Sequence, residues 1–138
     1  MALGDWIKID GRVWNVIVSS VEEEATVLYS EQTGRTIAPG APMSLDPLGT
    51  FIGHKIEILP VQGDEEDFDG LFNLVTLPRQ QGIYVDLVHG QTTLNYLAYI
   101  STASRQLKRI YEDAPQGHKV HWDKMKLNII PMNAQILP

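Results

Sequence analysis

The sequence contains no cysteine, which excludes a disulfide framework, a thiolate metal site and a cysteine nucleophile. No apolar run approaches the ~18 residues that span a bilayer, and the opening MALGDWIKID has neither the basic start nor the apolar stretch of a signal peptide. The expectation is a protein with no membrane partner. Positive charge is scarce too: 11 Lys and Arg stand against 17 Asp and Glu, for a net charge of −6. That balance argues against general affinity for a nucleic-acid backbone, and no sequence-specific nucleic-acid binding is expected. The one basic cluster, Arg105, Lys108 and Arg109, reads as a solvated face.

Chemical motifs are equally sparse. There is no P-loop, no G-x-G-x-x-G and no G-x-S-x-G elbow. Ser19, Ser20, Ser101 and Ser104 have no base at a motif spacing. The segment Glu65 to Gly70 imitates the start of a calcium loop, but Thr76 falls where that loop needs its bidentate Glu. His118, His121 and Asp123 could offer two imidazoles and a carboxylate to zinc, yet a turn histidine pair beside Trp122 accounts for them as well. His54 and His89 sit in alternating strand patterns, where a hydrogen-bonded or partly exposed imidazole is expected. The sequence therefore nominates no catalytic, cofactor-binding or metal-ligating residue, and the expectation is a non-enzyme.

What is present is mostly strand. With 138 residues the chain is long enough for one self-sufficient core, so residues 1–138 read as a single β-rich domain. Trp6 to Ile9, the Asp10-Gly11 turn and Arg12 to Val18 read as a hairpin, because Asp-Gly supplies the positive φ values of a type I′ turn. The acidic run Glu22-Glu23-Glu24 reads as an exposed turn before a strand that ends at Ser30. From Thr50 to Leu59 the alternation puts Ile52, His54, Ile56 and Ile58 on one face. Gly82 to His89 and Thr92 to Ser101 form a second hairpin about Gly90-Gln91. Ser104 to Tyr111 fits either type and is assigned to strand; Trp122 to Ile130 closes the set with Met125, Leu127 and Ile129 inward.

One helix is signalled by Asp64 as cap, by Glu65, Glu66 and Asp67 in the first turn, and by the stripe Phe68, Leu71, Phe72 and Val75. Pro78 stops it, and its apolar stripe must pack on a sheet or barrel opening. The sum of eight or so short strands and one helix predicts a β-barrel or a two-sheet sandwich. Between the strands, Glu31 to Gly49 shows no period of either kind, and aperiodic stretches longer than ~12–15 residues in compact domains are usually functional or disordered. Ile37, Met43 and Leu45 are apolar residues that a solvated linker does not need, so the 31–49 loop reads as an arm that orders against a neighbour.

The order of segments IDGRVWNVIVSSVEE, Thr33-Gly34-Arg35, LGTFIGHKIEI, the acidic helix ending at Leu77-Pro78, GQTTLNYLAYIS and LNIIPMNAQILP resembles a family of small structural proteins of tailed phages and prophages of Gram-positive gut bacteria. Gly49-Thr50-Phe51 and Ile130-Pro131-Met132 match two of its features. Ala38-Pro39-Gly40-Ala41-Pro42 departs from it, standing where a shorter Gly-containing link is expected. The resemblance implies a virion subunit, assembled in the bacterial host cytoplasm, that forms a homo-oligomeric ring or tube in a tail tube, tip or neck with other phage tail proteins. Under that reading Arg35, Ile37, Met43 and Leu45 are the expected interface residues. A different class of function, a small β-barrel binding a small molecule or carbohydrate, would use Trp6, Trp14, Tyr96, Tyr99 and Trp122 as stacking platforms.

Overall fold

The computed structural model describes residues 7–30, 34–35, 40, 43–61, 63–113 and 117–138. Eight strand segments and one helix follow in the order β1 (Lys8–Ile9), β2 (Val16–Tyr29), β3 (Gly34–Arg35), β4 (Met43–Ser44), β5 (Pro47–Pro60), α1 (Glu65–Val75), β6 (Ile83–His89), β7 (Thr92–Asp113) and β8 (Gly117–Pro131). Six of them form one antiparallel sheet in the order β1-β6-β7-β8-β5-β2, while β3 and β4 pair only with each other. The mainly β class expected from the sequence is present. The closed barrel is not: among the described residues the main sheet is open, and the second sheet is a two-rung ribbon rather than the partner layer of a sandwich. The reason is strand length, since β2, β5, β7 and β8 run to 14, 14, 22 and 15 residues, well beyond the usual five or six. A few such strands coil far enough to wrap a core with one helix added.

The core is the inward face of that coil. Ile52, His54, Ile56 and Ile58 of β5, Met125, Leu127 and Ile129 of β8, and Ile83, Val85 and Leu87 of β6 are buried, as the alternation required. Phe68, Leu71 and Val75 of α1 complete it. Each such side chain contributes about 1.5–3 kcal/mol by leaving water, so the body is held chiefly by this apolar set. The two edges of the sheet meet at a seam without backbone pairing. Ile7, Ile9, Val16, Val18 and Leu71 close it around a void of about 20 Å³.

Several local readings need correction. Asp10 and Gly11 do take the positive φ values of 60° and 72° and close one antiparallel rung, Ile9 with Arg12, but the hairpin stops there: β1 pairs with β6, and the chain after Arg12 leaves to start β2 at Val16. Glu22 to Glu24 is not a turn, because β2 runs straight through it opposite Lys55, His54 and Gly53. An edge strand exposed along most of its length tolerates three acids that a central strand would not. Asp64 makes no side-chain cap to α1; its carboxylate instead accepts Asn15 Nδ2 at 2.6 Å. Gly70 has a packing reason to interrupt the helix, since a Cβ there would stand 3.3 Å from the Trp14 ring.

Two hairpins leave the body at opposite ends. On β5 the last rung shared with β8 at one end is His54 with Ile129, and the last at the other is Ile58 with Met125. Residues 47–53 of β5 therefore extend, paired with β2, past one end, and residues 117–124 of β8, paired with β7, past the other. At ~3.3 Å per residue these overhangs measure about 23 and 26 Å, and the long axis about 65 Å. A compact chain of this length has a radius of gyration near ~14 Å, or a diameter of ~37 Å.

Candidate interaction site

At the mouth of the coil four polar side chains from four strands converge. His54 of β5 is 1% exposed, an unusual place for an imidazole in an otherwise apolar stripe. Its Nε2 lies 3.1 Å from Glu23 Oε2 of β2 and 3.0 Å from the Val88 carbonyl of β6, while its Nδ1 is 2.8 Å from the Tyr96 hydroxyl of β7. Two oxygen acceptors at Nε2 assign the hydrogen to that nitrogen, so in the neutral ring Tyr96 donates to Nδ1. Glu23 Oε2 also accepts His89 Nδ1 at 2.8 Å. Burial, with the Glu23 carboxylate adding to it, pushes the Tyr96 phenol well above its ordinary value of 10.0.

Glu23 and His89 are separated in the sheet by β5, β8 and β7, so this cluster joins β2 to β6 directly across the seam. Both ring nitrogens of His54 are committed to protein partners, which suits a clasp rather than a reaction centre. Among the described residues no group of three or more His, Cys, Asp or Glu side chains is set to hold a metal ion. The acids of the calcium-like segment are engaged in packing: Asp67 accepts the Asn15 amide at 2.7 Å and pairs with Arg12 at 3.2 Å, and Asp69 pairs with Arg105 at 2.6 Å.

Beyond the clasp lies the hairpin of β2 and β5. The loop read from the sequence as aperiodic, Glu31 to Gly49, is zipped at its base. Pro47 to Gly49 belong to β5, the Ser30 hydroxyl bonds the Asp46 carboxylate, and Gly34 and Arg35 face Ser44 and Met43 as the rungs of the ribbon. Of the expected interface residues, Arg35 and Met43 are thus opposite each other, Leu45 is 57% exposed, and Ile37 lies outside the described residues. Leu48, 54% exposed, and Val27, Leu28 and Tyr29 add apolar surface that the sequence reading did not single out. The signal was available: three apolar residues in a row on a strand leave at least one on a wet face.

The inner edge of this arm is closed by the chain's last stretch. Gln135 uses its side-chain amide as a strand would, donating to the Ile52 carbonyl at 2.7 Å and accepting the Ile52 amide at 2.9 Å, while Thr50 bridges Ile136. Gly49 is required at this approach, since a Cβ would stand 2.7 Å from that of Ala134. The outer edge, on β2, has no neighbour among the described residues.

The second hairpin, β7 with β8, is anchored to α1. The Arg105 guanidinium sits 4.1 Å from the ring centres of both Phe72 and Trp122 while bonding Asp69. Further out, Leu107, Ile110 and Val120 are exposed. Arg105, read as part of a solvated face, is corrected to a half-buried anchor; Lys108 and Arg109 do face solvent. The aromatic residues do not gather in one pocket. Trp14 packs over α1 and donates to the Ile9 carbonyl at 3.0 Å, Trp122 backs Arg105, Tyr96 serves the clasp, Tyr99 is exposed, and Trp6 lies outside the described residues. No helix among the described residues is long and apolar enough to cross a membrane. Compared with known proteins, the chain matches no family model, and no curated protein is significantly similar to it.

Proposed function

We propose that this protein is a non-enzymatic structural subunit that associates with copies of itself into a ring or tube, as part of the tail tube, tip or neck of a phage or prophage virion. The observation that carries the self-association is the exposed apolar surface: most of the exposed large apolar side chains, among them Val27, Leu28, Leu45, Leu48, Leu107, Ile110 and Val120, lie on the two overhanging hairpins and the chain's last residues. The phage setting rests on the sequence resemblance, with other tail proteins as further partners and assembly in the host cytoplasm. Ile37, Met43 and Leu45 are the apolar anchors of the 31–49 arm and Arg35 its polar contact, and the exposed Leu48 adds to them.

The test is solution mass by light-scattering chromatography over a hundredfold concentration range, with electron microscopy of the largest species. Rings or tubes are expected. A mass that stays at 15.5 kDa throughout would sink the reading.

A further inference from the structure

Resting on that self-association, the geometry points to how copies join: we infer a head-to-tail contact in which the β7–β8 hairpin of one copy lies along the free outer side of β2, on the β2–β5 hairpin of the next. The two surfaces differ in charge. Between Leu107 and Lys124 on the overhanging part of the β7–β8 hairpin stand four of the chain's 11 Lys and Arg, against three Asp and Glu. Between Val21 and His54 stand five Asp and Glu against one Arg. In a chain with a net charge of −6 the overhanging β7–β8 hairpin thus carries a small net positive charge, with Lys108 and Arg109 exposed on it, and the hairpin at the opposite end is acidic.

The shape of the acidic side suits a docked strand pair. Its outer edge carries the unpaired backbone groups of β2 from Glu24 to Tyr29, beyond the clasp at Glu23. Beside that edge an open groove of about 430 Å³ is lined by Glu24, Thr26 and Leu28 of β2, Phe51 and Lys55 of β5, and Pro131 of β8. On the basic side, Lys108 and Arg109 are exposed and take part in no ion pair among the described residues, and Leu107, Ile110 and Val120 offer apolar contact. An edge this long invites pairing with its own copy instead, and the acids oppose it. Full-length antiparallel pairing of two β2 strands about their midpoint sets Glu22 against Glu23 of the other copy, a like-charge contact across the ladder. The same acids attract a basic hairpin. Because the donor and acceptor surfaces lie at opposite ends of one molecule, the contact is heterologous and repeats from copy to copy until it closes.

The decisive experiment uses two charge-reversed variants, Glu22→Lys/Glu24→Lys and Lys108→Glu/Arg109→Glu, both at exposed positions outside the clasp, with far-UV circular dichroism to confirm the fold. Each alone should weaken association by about 100-fold, and an equimolar mixture should restore it, since every contact in an alternating chain is again complementary. The wild-type assembly should also dissociate as salt is raised from 0.05 to about 0.5 M. If the wild type associates while both variants match it, the hairpin contact is wrong and self-association stands. A species that stops at two chains and does not weaken with salt overturns the contact in favour of edge-to-edge pairing. A wild type that never associates removes both this inference and the function it rests on.

Discussion

At its base the β2–β5 hairpin is held by hydrogen bonds: Glu23 to two imidazoles, His54 to Tyr96, and Gln135 to both backbone groups of Ile52. The β7–β8 hairpin is held instead by a stack, with Arg105 between Phe72 and Trp122 and tied to Asp69 on α1. The first kind of attachment is directional and lies where the seam needs closing. The second is broad and tolerant of small shifts, and it couples the hairpin to the helix rather than to the sheet. Two extended arms of similar length therefore answer to different perturbations, and that difference can be tested residue by residue.

The largest effect should come from the floor that both arms share. Phe68→Ala removes a fully buried ring from the helix that packs on β5 and β7 and should cost about 3–5 kcal/mol in urea unfolding, loosening both hairpins together. His54→Ala should cost about 3 kcal/mol, because it leaves a cavity and deprives Tyr96 and the Val88 carbonyl of a partner. Hydrogen exchange should then rise in β2 and stay unchanged in the outer part of β7. Arg105→Ala should reverse that pattern at about 2 kcal/mol, and Arg105→Lys should recover little, since an ammonium cannot stack between two rings.

A pH titration separates the two bases further. Tyr96 is held protonated by the fold above its ordinary value of 10.0, so its contribution is complete below pH 10 and is lost as pH rises beyond it, where the unfolded chain ionises first. Alkaline unfolding should accordingly begin with β2 and be less steep in Tyr96→Phe. The smallest effect on the monomer belongs to Leu45→Ser with Leu48→Ser, within about 0.5 kcal/mol because both side chains are in water. Their effect should appear in the light-scattering mass instead, where association weakens.

Legibility in the sequence followed burial. The inward stripe of β5, the stripe of α1 and the inward set of β8 were readable because a strong alternation or a 3.6 period exists only where one face is dry. The course of β2 was not readable, since a strand wet on both sides carries no such pattern and Glu22 to Glu24 reads as a turn. The pairing of β1 with β6 is a contact over more than seventy residues, which no local rule supplies. The clasp has the same difficulty: Glu23, His54 and His89 are 31 to 66 residues apart and form no spacing motif. One clue stood in plain view, a histidine at a position where its neighbours two residues away on either side are isoleucines.

The seam gives the molecule the mechanics of a split ring. In a closed barrel any widening must break a whole ladder of backbone hydrogen bonds, whereas here the circumference is completed at the clasp by the few hydrogen bonds of Glu23 and His54 to His89, Val88 and Tyr96 and below it by apolar side chains. Dilating the coil a little costs those contacts and leaves every rung of the sheet intact. Radius is therefore the soft coordinate of the fold, sampled by openings far cheaper than unfolding. A load applied from within would meet compliance at one line along the wall, between Glu23 and His89, before it met resistance anywhere else.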